Sequence, residues 1–484
     1  MNINKASFKE AFLLCKLYIM RYILFFITPL FFSNILYADP NWDEVENTSV
    51  ELLREYLKID TSNPPGDVRE GVEWLAKKFN EFDIDYKTFT VPEDPRRMHI
   101  LAEIPGNNPN LKPLLLLNHI DVVPADYDAW STNPFDAEII DGVIYGRGAL
   151  DMKSLGIMQM MSMILLKQEG YIPERTIKFL GVADEEILGE YGAQWMIANH
   201  WDELDPEWVW DEGGIGSTDS FPGLSAFAVA VAQKKSFWVD VYVEGESGHG
   251  SRPFDGYPNE VLAKALEKIV SWETPIKINP VTEEMFYGIG CKKGGFQGFV
   301  MKNINKFLIK KIFGKKIASS SASTNVMLRN TIALTMIKSG YKTNIIPEKA
   351  TASLDIRLLP NTNPENFLSN LKEVVDDSRV TFIPKRVPNN NFISDWETKF
   401  YKVLADELNK EKPDVVVIPF MTIGGTDSQF FQSKGVNCYG ILPVLVSEDD
   451  IQTMHGIDER ISIENFMLGT KVVYNTIKKV CASN

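Results

Sequence analysis

Three short segments hold residue types that bind hard cations: His119-Ile120-Asp121, Asp151-Met152-Lys153 and Glu185-Glu186. Each follows an apolar run, at 114–117, 143–145 and 176–182. A carboxylate or imidazole at the end of a buried strand is costly unless something pairs with it. In open α/β sheets, ligands collect at the carboxyl ends of the strands. Oxygen donors plus an imidazole, with no cysteine nearby, suit zinc or a similar first-row divalent ion.

The segments offer distinct roles. In a strand, residues i and i+2 face the same side, which places Asp121 to hold the second ring nitrogen of His119. Asp151 sits in Gly146-Arg147-Gly148-Ala149-Leu150-Asp151-Met152-Lys153, where a tight loop lets one carboxylate bridge two cations. Adjacent Glu185 and Glu186 repel, and a cation neutralises them best. One of the pair can bind metal while the other takes a proton from a water that the metal has made nucleophilic. Asp211-Glu212-Gly213-Gly214, after an apolar run, offers a further carboxylate, and His455 is the last of the five histidines. Taken singly, His-x-Asp reads as a surface histidine and Glu-Glu as a solvated acidic turn.

The elements that must position these groups are legible in outline. At 484 residues the chain exceeds one ordinary core, so two or more domains are expected. Its 44% apolar and 24% charged content is that of a soluble globular protein. A net charge of −15 argues against nucleic-acid binding. Cys15, Cys291, Cys438 and Cys481 show neither disulfide nor zinc-knuckle spacing. Helical spacing at 45–57, 70–82 and 155–168 alternates with strands at 85–91, 98–104, 114–117 and 176–182. That alternation predicts an α/β fold with a mostly parallel, helix-flanked sheet. Half-exposed strands at 236–244, 333–339 and 350–358, with helices at 260–272 and 364–375, predict an inserted α+β domain. The α/β pattern returns at 396–409, 415–418 and 463–480.

Lys5, Lys9, Lys16 and Arg21 precede the apolar stretch 22–37, which ends at Ala38-Asp39-Pro40. This is the layout of a signal peptide over residues 1–38, implying export to a periplasm or the exterior. Leu36 is an unusual residue three before the cut, so an uncleaved anchor is the alternative. The domain division is then 39–235 (catalytic, first part), 236–392 (inserted) and 393–484 (catalytic, second part), with a lysine-rich insertion at 277–320.

Read in order, the segments resemble the aminoacylase/carboxypeptidase family of di-zinc exopeptidases, from about residue 47 to 479. The shared series is His-x-Asp, Gly-Arg-Gly-x-x-Asp-x-Lys, Glu-Glu, an acidic residue and a C-terminal His-Gly. The resemblance implies a zinc-exopeptidase-like fold with an inserted lid and dimerisation domain. It implies two zinc ions, with manganese or cobalt as alternatives. His119 and Glu212, or Asp211 in its place, would hold one ion, and Glu186 and His455 the other. Asp151 would bridge them and Glu185 would be the general base. Gly248-His249-Gly250-Ser251 matches the family's lid histidine, which reaches the partner subunit's site in a homodimer. Asn344-Ile345-Ile346-Pro347 and Asp355-Ile356-Arg357 match the segments that grip a substrate carboxylate. Gly424-Gly425-Thr426-Asp427-Ser428 matches the substrate-binding loop.

Within the family, 328–347 and 424–431 are most like carboxypeptidase S and the secreted N-acyl amino acid synthase/hydrolase branch. The activity so implied is hydrolysis of the amide next to a free carboxylate in short peptides. N-acyl amino acids are the alternative substrates. A membrane-tethered metal-binding interaction protein would leave the ordered metal series unexplained. One segment departs from a minimal lid. Residues 291–316 hold eight lysines and no acidic residue, interleaved with Phe296, Phe299, Ile304, Phe307, Leu308, Ile312 and Phe313. A basic amphipathic helix here would cover an acyl-chain site or contact an anionic membrane. Intact-mass analysis of the exported chain should find Asp39 at its N-terminus. A membrane-bound chain that keeps residues 1–38 would establish the anchor instead.

Overall fold

Strands β1 (Asp85–Thr90), β2 (Met98–Ile104) and β3 (Leu114–His119) precede a short hairpin, β4 (Glu138–Ile140) with β5 (Val143–Tyr145). After helix Lys153–Gln168 come β6 (Ile177–Val182), β7 (Trp208–Phe221) and β8 (Leu224–Gln233). The next set is β9 (Lys235–Glu244), β10 (Gly248–His249), β11 (Thr331–Ser339), β12 (Ile345–Ile346), β13 (Lys349–Leu358) and β14 (Val380–Arg386). The chain closes with β15 (Val416–Thr422), β16 (Asn437–Val446), β17 (Arg460–Ser462) and helix Ile463–Val480. These come from a computed structural model that describes residues 39–221, 224–388 and 392–482. The signal segment read over 1–38 lies outside them. Glu46–Asn484 forms one unit by its contacts.

The main sheet has the order β1-β2-β6-β3-β7-β16-β8-β15. It is parallel through β6, β3, β7 and β16, and antiparallel where β1 meets β2, β2 meets β6 and β7 meets β8. Every residue of β3 is buried, as a strand covered on both faces must be. Leu115 and Leu117 pack with Ala193, Met196 and Ile197 of helix Ala193–Leu204. Helix Lys153–Gln168 packs on β3 as well, and helix Ile463–Val480 covers it in turn. That is why its Met- and Leu-rich sequence is buried almost all round. The parallel register pairs His119 with Val182, so the ends of β3 and β6 arrive side by side.

A second, antiparallel sheet has the order β11-β13-β9-β14. Its core joins Phe237, Val239, Val241 and Val243 to Leu262, Leu266, Phe367 and Leu371 of the helices Pro258–Ser271 and Pro364–Val375. The opposite face of β9 and β13 is half-exposed at alternate residues, the period-2 pattern read in the sequence.

The lysine-rich segment is not one amphipathic helix. It forms Pro280–Lys293, Gly295–Lys302 and Phe307–Ala318, followed by Ala322–Met327. Asn279 and Thr282 make a reciprocal capping box at its start. Gly294 and Gly295, at φ 64° and 57°, break the run in a conformation that glycine adopts at least cost. Its first helix packs along β15, a strand parallel to β8. Asn279 meets Met421 near the end of β15, while a Cβ on Gly288 would touch Ile418 further back. The helices therefore run backwards along β15 towards Leu224, which opens β8. Leu224 and Gln233 lie nine residues apart on that strand, roughly 30 Å. The two ends of the insert meet: Lys277 donates its N–H to Leu328 O, and Thr274 Oγ1 bonds Asn330 O. Buried Lys234, between β8 and β9, donates to Val326 O, Arg329 O and Thr331 Oγ1, each at 3.0 Å.

Two loops far apart in sequence are locked by Glu459. Its Oε1 accepts N–H bonds from Leu150 at 2.7 Å and Asp151 at 3.0 Å. Its Oε2 accepts from Gly148 N at 3.0 Å and Arg147 Nη1 at 2.7 Å. Arg147 Nη2 also reaches Gly456 O at 2.8 Å. Glu459 is fully buried, and with both oxygens taken by donors it has no place for an acid proton. Removing one partner of such a pair strands a buried charge, so Glu459→Ala should lower unfolding free energy by about 3–5 kcal/mol. Urea denaturation measures it, and a loss below about 1 kcal/mol would mean the carboxylate is dispensable.

Candidate metal centre

Asp151 stands at the middle of the cluster. Its Oδ1 lies 3.0 Å from His119 Nε2, and its Oδ2 lies 3.0 Å from His455 Nε2. Glu212 Oε1 is 3.8 Å from His119 Nε2, and Glu186 Oε2 is 3.3 Å from His455 Nε2. Ligand atoms of His119, Glu185 and Glu212, and again of His119, Asp151 and Glu186, lie within 4.8 Å of one another.

Whether these groups fit a cation can be decided at His119. Its Nδ1 lies 2.7 Å from the backbone oxygen of Asp121, which can only accept. Nδ1 must therefore carry the hydrogen, and in the neutral ring Nε2 presents a lone pair. That lone pair faces a carboxylate oxygen at hydrogen-bond distance, an arrangement that needs a proton or a cation between the two atoms. The surrounding charge agrees. Burial pushes Glu212 well above the usual carboxylate range, with Asp151 and Glu185 adding to it. Burial does the same to Glu185, against the opposing charge of His119 and with Asp427 and Glu186 adding. Bonds to Asp151 and Glu186 push His455 up to about 10. The buried Glu186 Oε1 has no hydrogen-bond partner. Two divalent cations sharing Asp151 would satisfy all of these groups: one with His119 and Glu212, the other with His455 and Glu186.

Asp121 is placed differently from the expectation. Its backbone carbonyl, not its carboxylate, holds His119, and Oδ1 is 3.9 Å from Nδ1. The carboxylate instead accepts the N–H groups of Glu185 and Glu186, both at 3.3 Å, and Asn63 Nδ2 at 2.8 Å. It thus shapes the single 3₁₀ turn Glu185–Ile187 on which both glutamates stand. Asp211 is turned away, because Ser428 N and Oγ occupy its Oδ2 at 2.9 and 2.7 Å. Glu212 therefore faces His119, and Asp211 does not. Left-handed backbone at Asp184 (φ 75°) and Leu188 (φ 94°) brackets the glutamates, and His455 itself has φ 57°. Such conformations cost non-glycine residues about 1–3 kcal/mol each and cluster at functional sites.

The Gly424–Thr426 loop is brought alongside. Thr426 N donates to Gln233 Oε1 at 2.7 Å, and Thr422 Oγ1 bonds Gly213 O, next to Glu212, at 2.8 Å. Gly424 has open space where a side chain would stand. Arg357 is engaged within its own sheet: Asp355 takes Nε and Nη2 at 2.9 and 3.1 Å, and Ser236 takes Nη1. The free fork expected for a substrate carboxylate is therefore occupied. Arg386, which the sequence reading passed over, lies over Trp238 and reaches Gln429 Oε1 at 3.5 Å, beside that loop. His249 and Asn344 share an exposed turn, where Gly250 N donates to Asn344 O and Ser251 bonds His249 Nδ1. Among the described residues, no ion pair joins His249 to the metal cluster.

Residues 115–479 match Peptidase family M20/M25/M40, which is most of the chain. The chain belongs to that family. Probable carboxypeptidase S-like 2 of Dictyostelium discoideum is 31% identical over 381 residues, 77% of this chain and 72% of the relative. The N-fatty-acyl-amino acid synthase/hydrolase PM20D1 of Xenopus tropicalis is 32% identical over 375 residues, 75% of this chain and 72% of the relative. The M20 family metallo-carboxypeptidase Sso-CP2 from Sulfolobus solfataricus has a similar fold. It is 21% identical with a TM-score of 0.65, over 89% of this chain and 98% of that one. As a member of Peptidase family M20/M25/M40, the protein is a metal-dependent exopeptidase or amidohydrolase. Calorimetric titration of the metal-stripped protein with zinc should find two sites, and His455→Ala should remove one. Two sites of unchanged affinity in the variant would take His455 out of the ligand set.

Proposed function

We propose that this protein hydrolyses the amide bond next to a free carboxylate in short peptides, with N-acyl amino acids as the second substrate class. The observation that carries the reading is one carboxylate, Asp151, whose two oxygens each lie 3.0 Å from a different imidazole. The second class has support from the relative named for N-fatty-acyl-amino acids. When bound, a pair of divalent ions, zinc in our reading, would lower the pKa of a water and polarise the scissile carbonyl.

The chain's own residues do the rest. Glu185, grouped with His119 and Glu212, takes the proton of the attacking water. It then hands that proton to the amine nitrogen as the C–N bond breaks. Asp121 keeps Glu185 aimed by holding its backbone N–H. Arg386 binds the substrate carboxylate, because a guanidinium fork matches two oxygens and Arg357 already spends its fork on Asp355. Gly424 and Gly425 let the substrate approach the backbone, and Thr426 fixes the loop through Gln233. His249 and Asn344 stand on an exposed turn, and we assign them to the site of a second copy of the chain. There an imidazole N–H would stabilise the oxyanion. Residues 236–392 would then serve as lid and dimerisation domain, in a protein exported by residues 1–38.

A matched panel on zinc-loaded protein tests this: Gly-Leu-type dipeptides, N-acetyl amino acids and N-oleoyl amino acids. Glu185→Gln should lower kcat by roughly a hundred- to ten-thousand-fold with both ions still bound. Arg386→Ala should raise KM for free-carboxylate substrates and leave their C-terminal amides unaffected. The preferred panel member distinguishes peptidase from acylase. No metal-dependent turnover on any member would overturn the proposal.

A further inference from the structure

The helices between Pro280 and Met327 expose a surface that the hydrolytic site does not use. Phe296 is 69% exposed, Phe299 52%, Phe307 72%, Leu308 66% and Ile312 65%. A patch of this composition on a soluble protein marks an interaction surface. Helical spacing puts Phe307, Leu308, Lys311, Ile312 and Lys315 on one exposed face of Phe307–Ala318. Phe313 and Ile317, on the other side, line a hollow of about 370 Å³ with Phe286, Ile289, Phe296 and Val300. The helix is thus apolar on the face it packs and apolar again on the face it shows.

Charge identifies what would cover that outer face. Residues 291–316 carry eight lysines and no acid, in a chain whose net charge is −15. A second copy docking here would set lysine against lysine, which opposes self-association. We propose that this helical insert docks on the surface of an anionic phospholipid bilayer. Phe299, Phe307, Leu308 and Ile312 would enter the acyl boundary while Lys310, Lys311, Lys315 and Lys316 extend to the phosphates. The open hollow beside Lys293 and Lys316 would accept the end of a lipid chain. Helix Pro280–Lys293 starts at the Met421 end of β15, where Thr422 bonds Gly213 O, and runs towards Leu224 at the other end of β8, so docking leaves the metal centre free. Among the described residues no helix is long and apolar enough to cross a membrane.

Hydrogen exchange on the full-length protein tests this locally, since residues 22–37 can bind lipid by themselves. Vesicles of phosphatidylcholine are compared with equal mixtures of phosphatidylcholine and phosphatidylglycerol. Amides of 296–316 should exchange slower by roughly five-fold or more on the mixed vesicles and be unchanged on the neutral ones. Phe307→Ser/Leu308→Ser/Ile312→Ser and Lys310→Gln/Lys311→Gln/Lys315→Gln should each abolish that protection. Unchanged dipeptide hydrolysis would show that both variants are folded. Vesicle-bound protein with unprotected 296–316, equal protection on neutral vesicles, or protection that appears without lipid as concentration rises would each overturn the proposal.

Discussion

A buried carboxylate that accepts four N–H bonds holds the active part of this molecule in register. Glu459 receives Arg147, Gly148, Leu150 and Asp151 from a loop some three hundred residues earlier. The same short stretch carries His455, while the clamped loop carries Asp151. Those two residues meet at 3.0 Å only because the backbones around them are tied together. β17 pairs antiparallel with β5 and extends the tie. An unpaired buried carboxylate is costly, so the sequence around Glu459 is constrained as tightly as the ligands themselves.

The catalytic carboxylates depend on a similar arrangement. Glu185 and Glu186 stand on a turn whose N–H groups point at buried Asp121. Asp184, just before them, is held in left-handed backbone by Arg97 Nε at 3.0 Å and Tyr191 N at 3.1 Å. Crowding so many acids together works against folding unless cations join them. This site therefore trades stability of the metal-free chain for a preorganised binding geometry.

Much of this was legible in the sequence, because strand ends and glycine-rich turns leave strong marks. Buried apolar runs located β3 and β6, and the resemblance that the ordered segments carry placed His119, Asp151, Glu185, Glu186 and His455 in one neighbourhood. What could not be read was which atom of a residue does the work. Asp121 orients His119 through its carbonyl, and no side-chain pattern reports that. Asp211 and Glu212 differ by one position in a strand, and only the Ser428 bonds decide which one faces the imidazole. Arg357 was assigned through the resemblance of its segment, and only the fold shows its fork closed on Asp355 and Ser236. Arg386 lies in a stretch with no motif, and its relation to Gln429 exists only in three dimensions. The lysine-rich segment showed its composition plainly, but not that paired glycines would fold helix Gly295–Lys302 back onto helix Pro280–Lys293.

The junction at Lys234 has a consequence for how such a chain can change over generations. Both ends of the insert leave the body at one point, where Lys277 meets Leu328 and Thr274 meets Asn330. A segment whose ends already touch can lengthen, shrink or be exchanged with little effect on the strands it hangs from, because loop-closure entropy grows slowly with length. The helices are in that sense an interchangeable attachment. A lineage could retarget the enzyme to a new surface by rewriting about fifty residues, while the chemistry inherited from its ancestors stays fixed.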